Sequence, residues 1–409
     1  MFITQGTRSH PFGYEMNAHP ASTVSDLRSA IDDFVVPVRD RVCPGESFAI
    51  APHIGQSLAG QLSRKGVAES VGEHLRDLSL HLYTVNAFPL KDFHAKRVKE
   101  QVYLPSWAHV ARANTTCRIA DVLVRMAPDS RHLSISTLGG GYRPAGDSTA
   151  THEKMADGYL KVIAHLARIE QHTGIFIALN AEPEPDTTFE CAEDVIAFWK
   201  QHLQPRLPDL ARLLGCHRSR AEGLLRRHWT VNLDACHSAV LFRSPVEDWR
   251  RLDRAGIIVG KVHITSAISL PNPGRSPAAY DELLQHIEPR YLHQSAARMK
   301  DGNVVRLADL PDIHQQDLST ISEIRTHFHV PLSGARHGKL HTTRKEATAL
   351  LKEALRRQEQ APHIAIETYT WPLLTRGVKK SEQQKRLVDG ITAEMRWARR
   401  AAGAGNSNR

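Results

Sequence analysis

Short β-type runs alternate with longer helical patterns along almost all of the 409 residues. That alternation restricts the chain to repeated βα units built around a parallel sheet. The candidate strands are Phe12–Ala18, Phe48–Ile54, Leu80–Ala87, Leu133–Leu138, Ile175–Ala181, Trp229–Ala235, Ile257–Thr265, Arg325–Pro331 and Ile364–Tyr369. Helical patterns fill most gaps: Ser25–Arg39, Gly55–Lys65, Ala108–Met126, Met155–Gly174, Cys191–Leu203, Val246–Ala255 and Thr343–Gln360. Ser25 and Asp26, ahead of Leu27 and Ile31, suggest a cap on the first.

A closed eight-stranded barrel has no place for a ninth strand. The surplus run is Arg325–Pro331, which follows an irregular stretch from Leu270 to Ser322. That stretch contains a hairpin pattern: Tyr291–Arg298, a turn at Lys300, Asp301, Gly302 and Asn303, then Val304–Leu307. The expected architecture is therefore an α/β (β/α)8 TIM barrel over residues 1–375 as one domain. An insertion at about 270–331, a β-hairpin and an extra strand, separates strands seven and eight. Residues 376–409 read as a basic C-terminal helix and a disordered tail.

Composition narrows the class further. No stretch approaches the roughly 18 uncharged apolar residues of a membrane helix, and the first residues lack the pattern of a signal peptide. The five cysteines (Cys43, Cys117, Cys191, Cys216, Cys236) are odd in number and never form a C-x-x-C pair. They read as reduced thiols, and the expected location is cytoplasmic. Net charge is +9, with Lys and Arg densest over Arg218–Arg227 and from Arg376 to Arg400. Such a balance admits nucleic acid, anionic membrane or anionic metabolites as partners, or simply exposed helix faces. Histidine, at 24, is the unusual count.

In a barrel of this kind the active site lies at the C-terminal ends of the strands, so polar residues ending apolar runs are the ones to collect. Glu182 ends IFIALNAE, Asp234 ends TVNLD, His263 lies in IIVGKVHITS, and Glu367 ends HIAIE. Any one carboxylate there can be an ordinary helix cap. Four such positions together make a mixed oxygen and nitrogen ligand set suited to Mn, Mg, Co or Zn as a divalent cofactor. His237 follows Asp234 at D-x-x-H spacing and is read as facing substrate. His327 and His329, two apart, share a face and are read as an added ligand pair or a substrate wall. Either can compete with His263 for the fourth ligand position. His329 is carried as a metal ligand, and His327 with substrate. Asn86, Phe88, His94, Lys96, Arg97 and Lys99 crowd the loop after the third strand, where substrate-gripping groups reside, or simply begin a solvated helix. Gly139, Gly140 and Gly141 after the fourth strand suggest an anion-binding nest, a weak signal without Walker or Rossmann spacing.

The segments YEMNAHP, LYTVNAFPLKDFHAKRVKEQVYLPSW, SISTLGGGY, LNAEPEP, LDACHSAV, GKVHITSA, RYLHQ, THFHVPL and IETYTW run in order from Tyr14 to Trp371. Together they resemble the EboE-type metabolite traffic proteins, xylose isomerase-like (sugar phosphate isomerase/epimerase-like) TIM barrels. The resemblance implies a Glu, Asp, His, Glu metal site, falling on Glu182, Asp234, His263 and Glu367. It implies that His237 contacts substrate. The related endonuclease IV site also needs histidines where this chain has Asn86 and Thr137, which argues against nucleic acid. For Ebo clusters it implies a role in making or exporting a small metabolite, in contact with membrane-bound pathway proteins.

The expected function is a metal-dependent isomerase or epimerase acting on a sugar, sugar phosphate or cyclitol. Glu182 and Glu367 would be the proton-transfer groups, with Lys96, Arg97 and Arg143 near the site face for an anionic substrate. The alternatives are a non-catalytic metabolite-binding or trafficking protein of the same cluster and an endonuclease IV-like AP endonuclease.

Overall fold

The computed structural model describes residues 1–5, 8–357, 361–375 and 377–403. Eight barrel strands carry the fold: β1 (Arg8–Tyr14), β2 (Phe48–Ile50), β3 (Leu80–Leu82 and, past Tyr83, Thr84–Asn86), β4 (His132–Leu138), β5 (Phe176–Glu182), β6 (Trp229–Asp234), β7 (Val259–Ile264) and β8 (His363–Ile366). Parallel pairing runs unbroken from β3 through β4, β5, β6, β7 and β8 to β1. β2 pairs in parallel with the first half of β3. The ring closes between β1 and β2, where Glu15 bridges Ala51 and the Met16 N–H donates to the Ala51 carbonyl at 2.9 Å. The chain is thus a (β/α)8 barrel. Its strands are buried along nearly their whole length, because side chains fill the barrel inside and helices cover it outside.

The covering helices include Val24–Ala30, Gln56–Leu62, Val67–Asp77, Val110–Met126, Thr149–Thr173, Arg218–His228, Pro245–Arg254 and Arg344–Arg356. The first is capped by Thr23 rather than Ser25: its side chain accepts from the Asp26 N–H, and Asp26 answers in a capping box. A last helix, Lys380–Ala401, returns to pack on Val36–Val42 and closes the barrel wall. The expected tail beyond Gly403 lies outside the described residues. None of the described helices is long and apolar enough to cross a membrane. The five cysteines are unpaired.

Between β7 and β8 the chain builds a six-stranded antiparallel sheet. Its order is Val304–Leu307, Ser295–Met299, Ile321–Thr326, Ile268–Pro271, Leu340–Thr342, Arg336–His337. It has its own apolar cluster around Ile268, Leu283, Ala297, Leu310, Ile324 and Phe328. The strand ends at Thr326, so the Arg325–Pro331 run is strand only at its start. His327 to Pro331 then run as irregular chain, and there His327 and His329 are buried against the barrel mouth.

Candidate metal centre and its surroundings

Period-2 geometry puts alternate residues of each barrel strand inside, and the last inward residue of β5, β6 and β7 is polar: Glu182, Asp234 and His263. Glu367 follows β8 by one residue. One ligand atom from each of these four lies within 4.8 Å of the others, and all four are buried. His263 is the hub. Its Nδ1 stands 3.1 Å from Glu182 Oε1, 3.3 Å from Glu367 Oε2 and 3.7 Å from Asp234 Oδ2. A divalent ion held at about 2.0–2.2 Å by N and O atoms spaces adjacent ligands about 3.0–3.5 Å apart; the separations to Glu182 and Glu367 fall in that range and the one to Asp234 slightly exceeds it. Asp234 Oδ2 is buried without a hydrogen-bond partner among the described residues. Three carboxylates removed from water beside one imidazole demand a compensating cation. Without a metal that cation is His263 itself: burial opposes its charge, but Glu367 and Glu182 hold its pKa well above the ordinary value.

Two of the three acids are aimed by neighbours outside the quartet. Asp234 also caps the short helix Ala235–Val240. Its Oδ1 accepts from the His237 N–H at 3.0 Å and from Thr265 Oγ1 at 2.6 Å. The cap reading and the ligand reading are therefore both served by one side chain. Glu367 Oε1 accepts from Asn17 Nδ2 at 2.7 Å and Asn86 Nδ2 at 3.0 Å. Burial opposes its ionisation, yet His263, His329 and His237 keep it below the usual carboxylate range.

The quartet opens onto a cleft lined by Glu182, Glu184, His237, His327, His329 and Glu367, with aromatic walls from Phe93, Tyr291 and Tyr369. His329 does not join the quartet. It groups instead with Asp234 and His237, and its Nδ1 is committed to the Glu367 carbonyl at 2.7 Å. His237 Nδ1 faces the Pro183 carbonyl at 2.9 Å, and His327 Nδ1 faces Gln294 Oε1 at 2.9 Å. The Nε2 atoms of His327 and His329 meet at 3.2 Å. Glu184 accepts from the Tyr103 hydroxyl at 3.0 Å, and burial pushes its carboxyl up to about 8 against the pull of His237.

Other expected contributors lie elsewhere. Lys96 and Arg97 are exposed and do not line the cleft. His94 lines a separate cavity with Arg64, Lys91 and Arg118. Arg143 turns away into Asp147, Glu190 and Asp194. Of the charged residues in the loop after β3, Lys99 lines the cleft, ion-paired to Asp309 at 2.5 Å. The glycine run is no nest: Gly140 donates to Leu138 and Tyr159, and Gly141 to Thr188. Its glycines answer close approach, since a Cβ on Gly139 would stand 2.5 Å from the Glu182 carbonyl oxygen.

Residues not anticipated from sequence complete the picture: Glu15, Asn17, Glu184, Tyr103, Lys261 and Gln294. Glu15 and Asn17 lie in YEMNAHP, immediately after β1, a position equivalent to those of the four ligands.

No family model matches the chain, and no curated protein matches it. Among solved structures it is similar to that of an L-ribulose 3-epimerase, at 11% identity over 98% of this chain and 99% of the other, with a TM-score of 0.46. It is also similar to a xylose isomerase domain protein from Planctomyces limnophilus, at 12% identity over 87% and 90%, with a TM-score of 0.47. A third is the IolI protein with a bound zinc atom, at 9% identity over 97% and 100%, with a TM-score of 0.43. At these identities and scores the likenesses carry no functional weight, and the site's own geometry has to speak for its chemistry.

Proposed function

We propose that the chain is a metal-dependent isomerase or epimerase of a sugar, sugar phosphate or cyclitol, with one divalent ion held by Glu182, Asp234, His263 and Glu367. The observation that carries this reading is the quartet itself: four buried ligand atoms within 4.8 Å of one another, at the C-terminal mouth of a barrel, beneath a cleft. When bound, the ion supplies electrophilic stabilisation of charge on neighbouring substrate oxygens. Glu182 and Glu367, which also line the cleft, remove and return the proton at the carbon beside the carbonyl. His237, His327 and His329, which line the cleft, would orient substrate hydroxyls, with His329 outside the four-ligand set. In the family the sequence resembles, such a step would serve the making or export of a small metabolite beside membrane-bound pathway proteins.

The test is proton exchange. The Mn²⁺- or Co²⁺-loaded protein is incubated in D₂O with a panel of ketoses, ketose phosphates and inososes, and deuterium wash-in is followed by NMR. Metal-dependent exchange on at least one class, lost in Glu182→Gln and Glu367→Gln, is the expected result. Stoichiometric metal with no exchange on any of them would favour the non-catalytic binding alternative instead.

A further inference from the structure

Beneath the quartet lies a second set of charges that touches no part of the cleft. Lys261 is two residues before His263 on β7, so it points inward one layer deeper. Its ammonium group reaches Glu15 Oε1 at 2.6 Å and donates to Ser136 Oγ at 2.9 Å, and both Lys261 and Glu15 side chains are wholly buried. The same Glu15 Oε1 is 3.1 Å from His263 Nε2, while Glu15 Oε2 has no hydrogen-bond partner among the described residues. Glu15 is fixed from its backbone, whose N–H donates to the Ile366 carbonyl at 2.8 Å and which bridges Ala51.

A buried Lys–Glu pair is a poor source of stability, because desolvation offsets most of its attraction and an apolar pair of the same volume often serves as well. Its placement is informative. The carboxylate can only accept, so a hydrogen bond to it keeps a proton of His263 on Nε2 and leaves Nδ1, which Asn232 Nδ2 also approaches at 3.2 Å, as the nitrogen that would give up its proton to an ion among Glu182, Asp234 and Glu367. Because Lys261 balances its charge, Glu15 does this without adding a fourth uncompensated anion to the quartet.

We propose that Glu15 and Lys261 are positioning residues that commit His263 to bind the ion through Nδ1. The proposal rests on the metal reading above. It needs a partner for the ring's outer nitrogen, as metal-bound histidines generally have, and loss of such a partner costs roughly 10–100-fold in metal affinity.

The test uses Co²⁺ titrations of the full chain, following both affinity and the visible ligand-field spectrum. Wild type should take up Co²⁺ at the quartet and lose it in Asp234→Asn. The double variant Glu15→Leu/Lys261→Met replaces the pair by apolar groups; it should bind Co²⁺ about 10–100-fold more weakly with an altered spectrum. Glu15→Gln/Lys261→Met restores a neutral acceptor for Nε2–H and should recover most of the affinity. Wild-type affinity and spectrum in the Leu/Met variant would overturn the proposal and leave the metal site standing. A wild type that takes up no ion at the quartet would overturn both. Should the Leu/Met variant not fold, two-bond ¹H–¹⁵N spectra of the zinc-loaded wild type decide: His263 protonated on Nε2 supports the assignment, and protonation on Nδ1 overturns it.

Discussion

The Nε2 atoms of His327 and His329 face one another at 3.2 Å, and neither ring, while neutral, can bring a proton to that contact without giving up the acceptor at its other nitrogen. His329 Nδ1 meets a backbone carbonyl, which cannot donate. His327 Nδ1 meets Gln294 Oε1, whose orientation is fixed because Gln294 Nε2 donates to the Pro185 carbonyl at 3.0 Å. Burial lowers the pKa of both rings, His327 furthest, with His237 adding to the effect there. In metal-free protein near pH 7 burial favours neutral Nδ1–H tautomers at both histidines, which leaves two Nε2 lone pairs facing one another with no hydrogen bond between them. Two-bond ¹H–¹⁵N correlation of ¹⁵N-histidine-labelled chain reads this directly; an Nε2–H tautomer at either ring would contradict the network.

Asn17 and Asn86 converge on one oxygen of Glu367. Asn86 is locked in that orientation because its Oδ1 accepts from the Phe88 N–H at 2.9 Å. Asn86→Leu strips a donor from a buried carboxylate and should cost about 1–3 kcal/mol, measured by urea unfolding in EDTA. Because the two amides share an acceptor, Asn17→Leu/Asn86→Leu should depart from the sum of the single effects. Strict additivity would show that the shared oxygen does not couple them.

Glu394, on the last helix, clamps the segment just beyond Glu367. It accepts from the Leu332 N–H at 2.9 Å, from Thr368 Oγ1 at 2.7 Å and from Trp371 Nε1 at 2.7 Å. Burial raises its pKa from 4.5 to about 7, although its three donors favour the ionised form. The folded state therefore holds a proton that the unfolded chain releases near pH 4.5. Its contribution is full below that pH and is lost as pH rises through about 7, a swing of about 3 kcal/mol. Glu394→Gln should flatten the fall in unfolding free energy between pH 5 and 8. An unchanged slope would assign that fall to other groups.

Gly139 has no room for a methyl group: its Cβ would also stand 3.1 Å from the Glu182 carbonyl carbon and 3.2 Å from Phe189 Cβ. Gly139→Ala should therefore cost about 1–3 kcal/mol through overpacking. Because the displaced atom belongs to the backbone of Glu182, Co²⁺ affinity should fall as well. A destabilised variant with undiminished Co²⁺ affinity would show that the strain relaxes away from the site.

Which parts of this were legible beforehand follows from how polar residues sit in apolar runs. Glu182, Asp234 and Glu367 each end such a run, so barrel architecture alone points them at the mouth. Glu15 does the same but was hidden. Pro11 breaks the pattern of the first strand, which reads as Phe12–Ala18 while the paired residues are Arg8–Tyr14, and Glu15 then falls inside the run instead of at its end. Lys261 interrupts an apolar stretch and reads as a blemish, because nothing local reveals a partner 246 positions earlier in the chain. Arg143 shows the converse limit. A charge in a loop is plain in the sequence, but its direction was set by Glu190 and Asp194, which come from a different βα unit.

The bond from Asn17 to Glu367 spans 350 positions and joins the first barrel unit to the last. A growing chain thus completes most of its strands before the centre exists in any form, since Glu182, Asp234 and His263 wait on a residue made after the whole inserted sheet. No early folding intermediate could hold an ion as the completed quartet would. Metal capture by this protein would report that the ring has closed, a late certificate of correct folding rather than a nucleus for it.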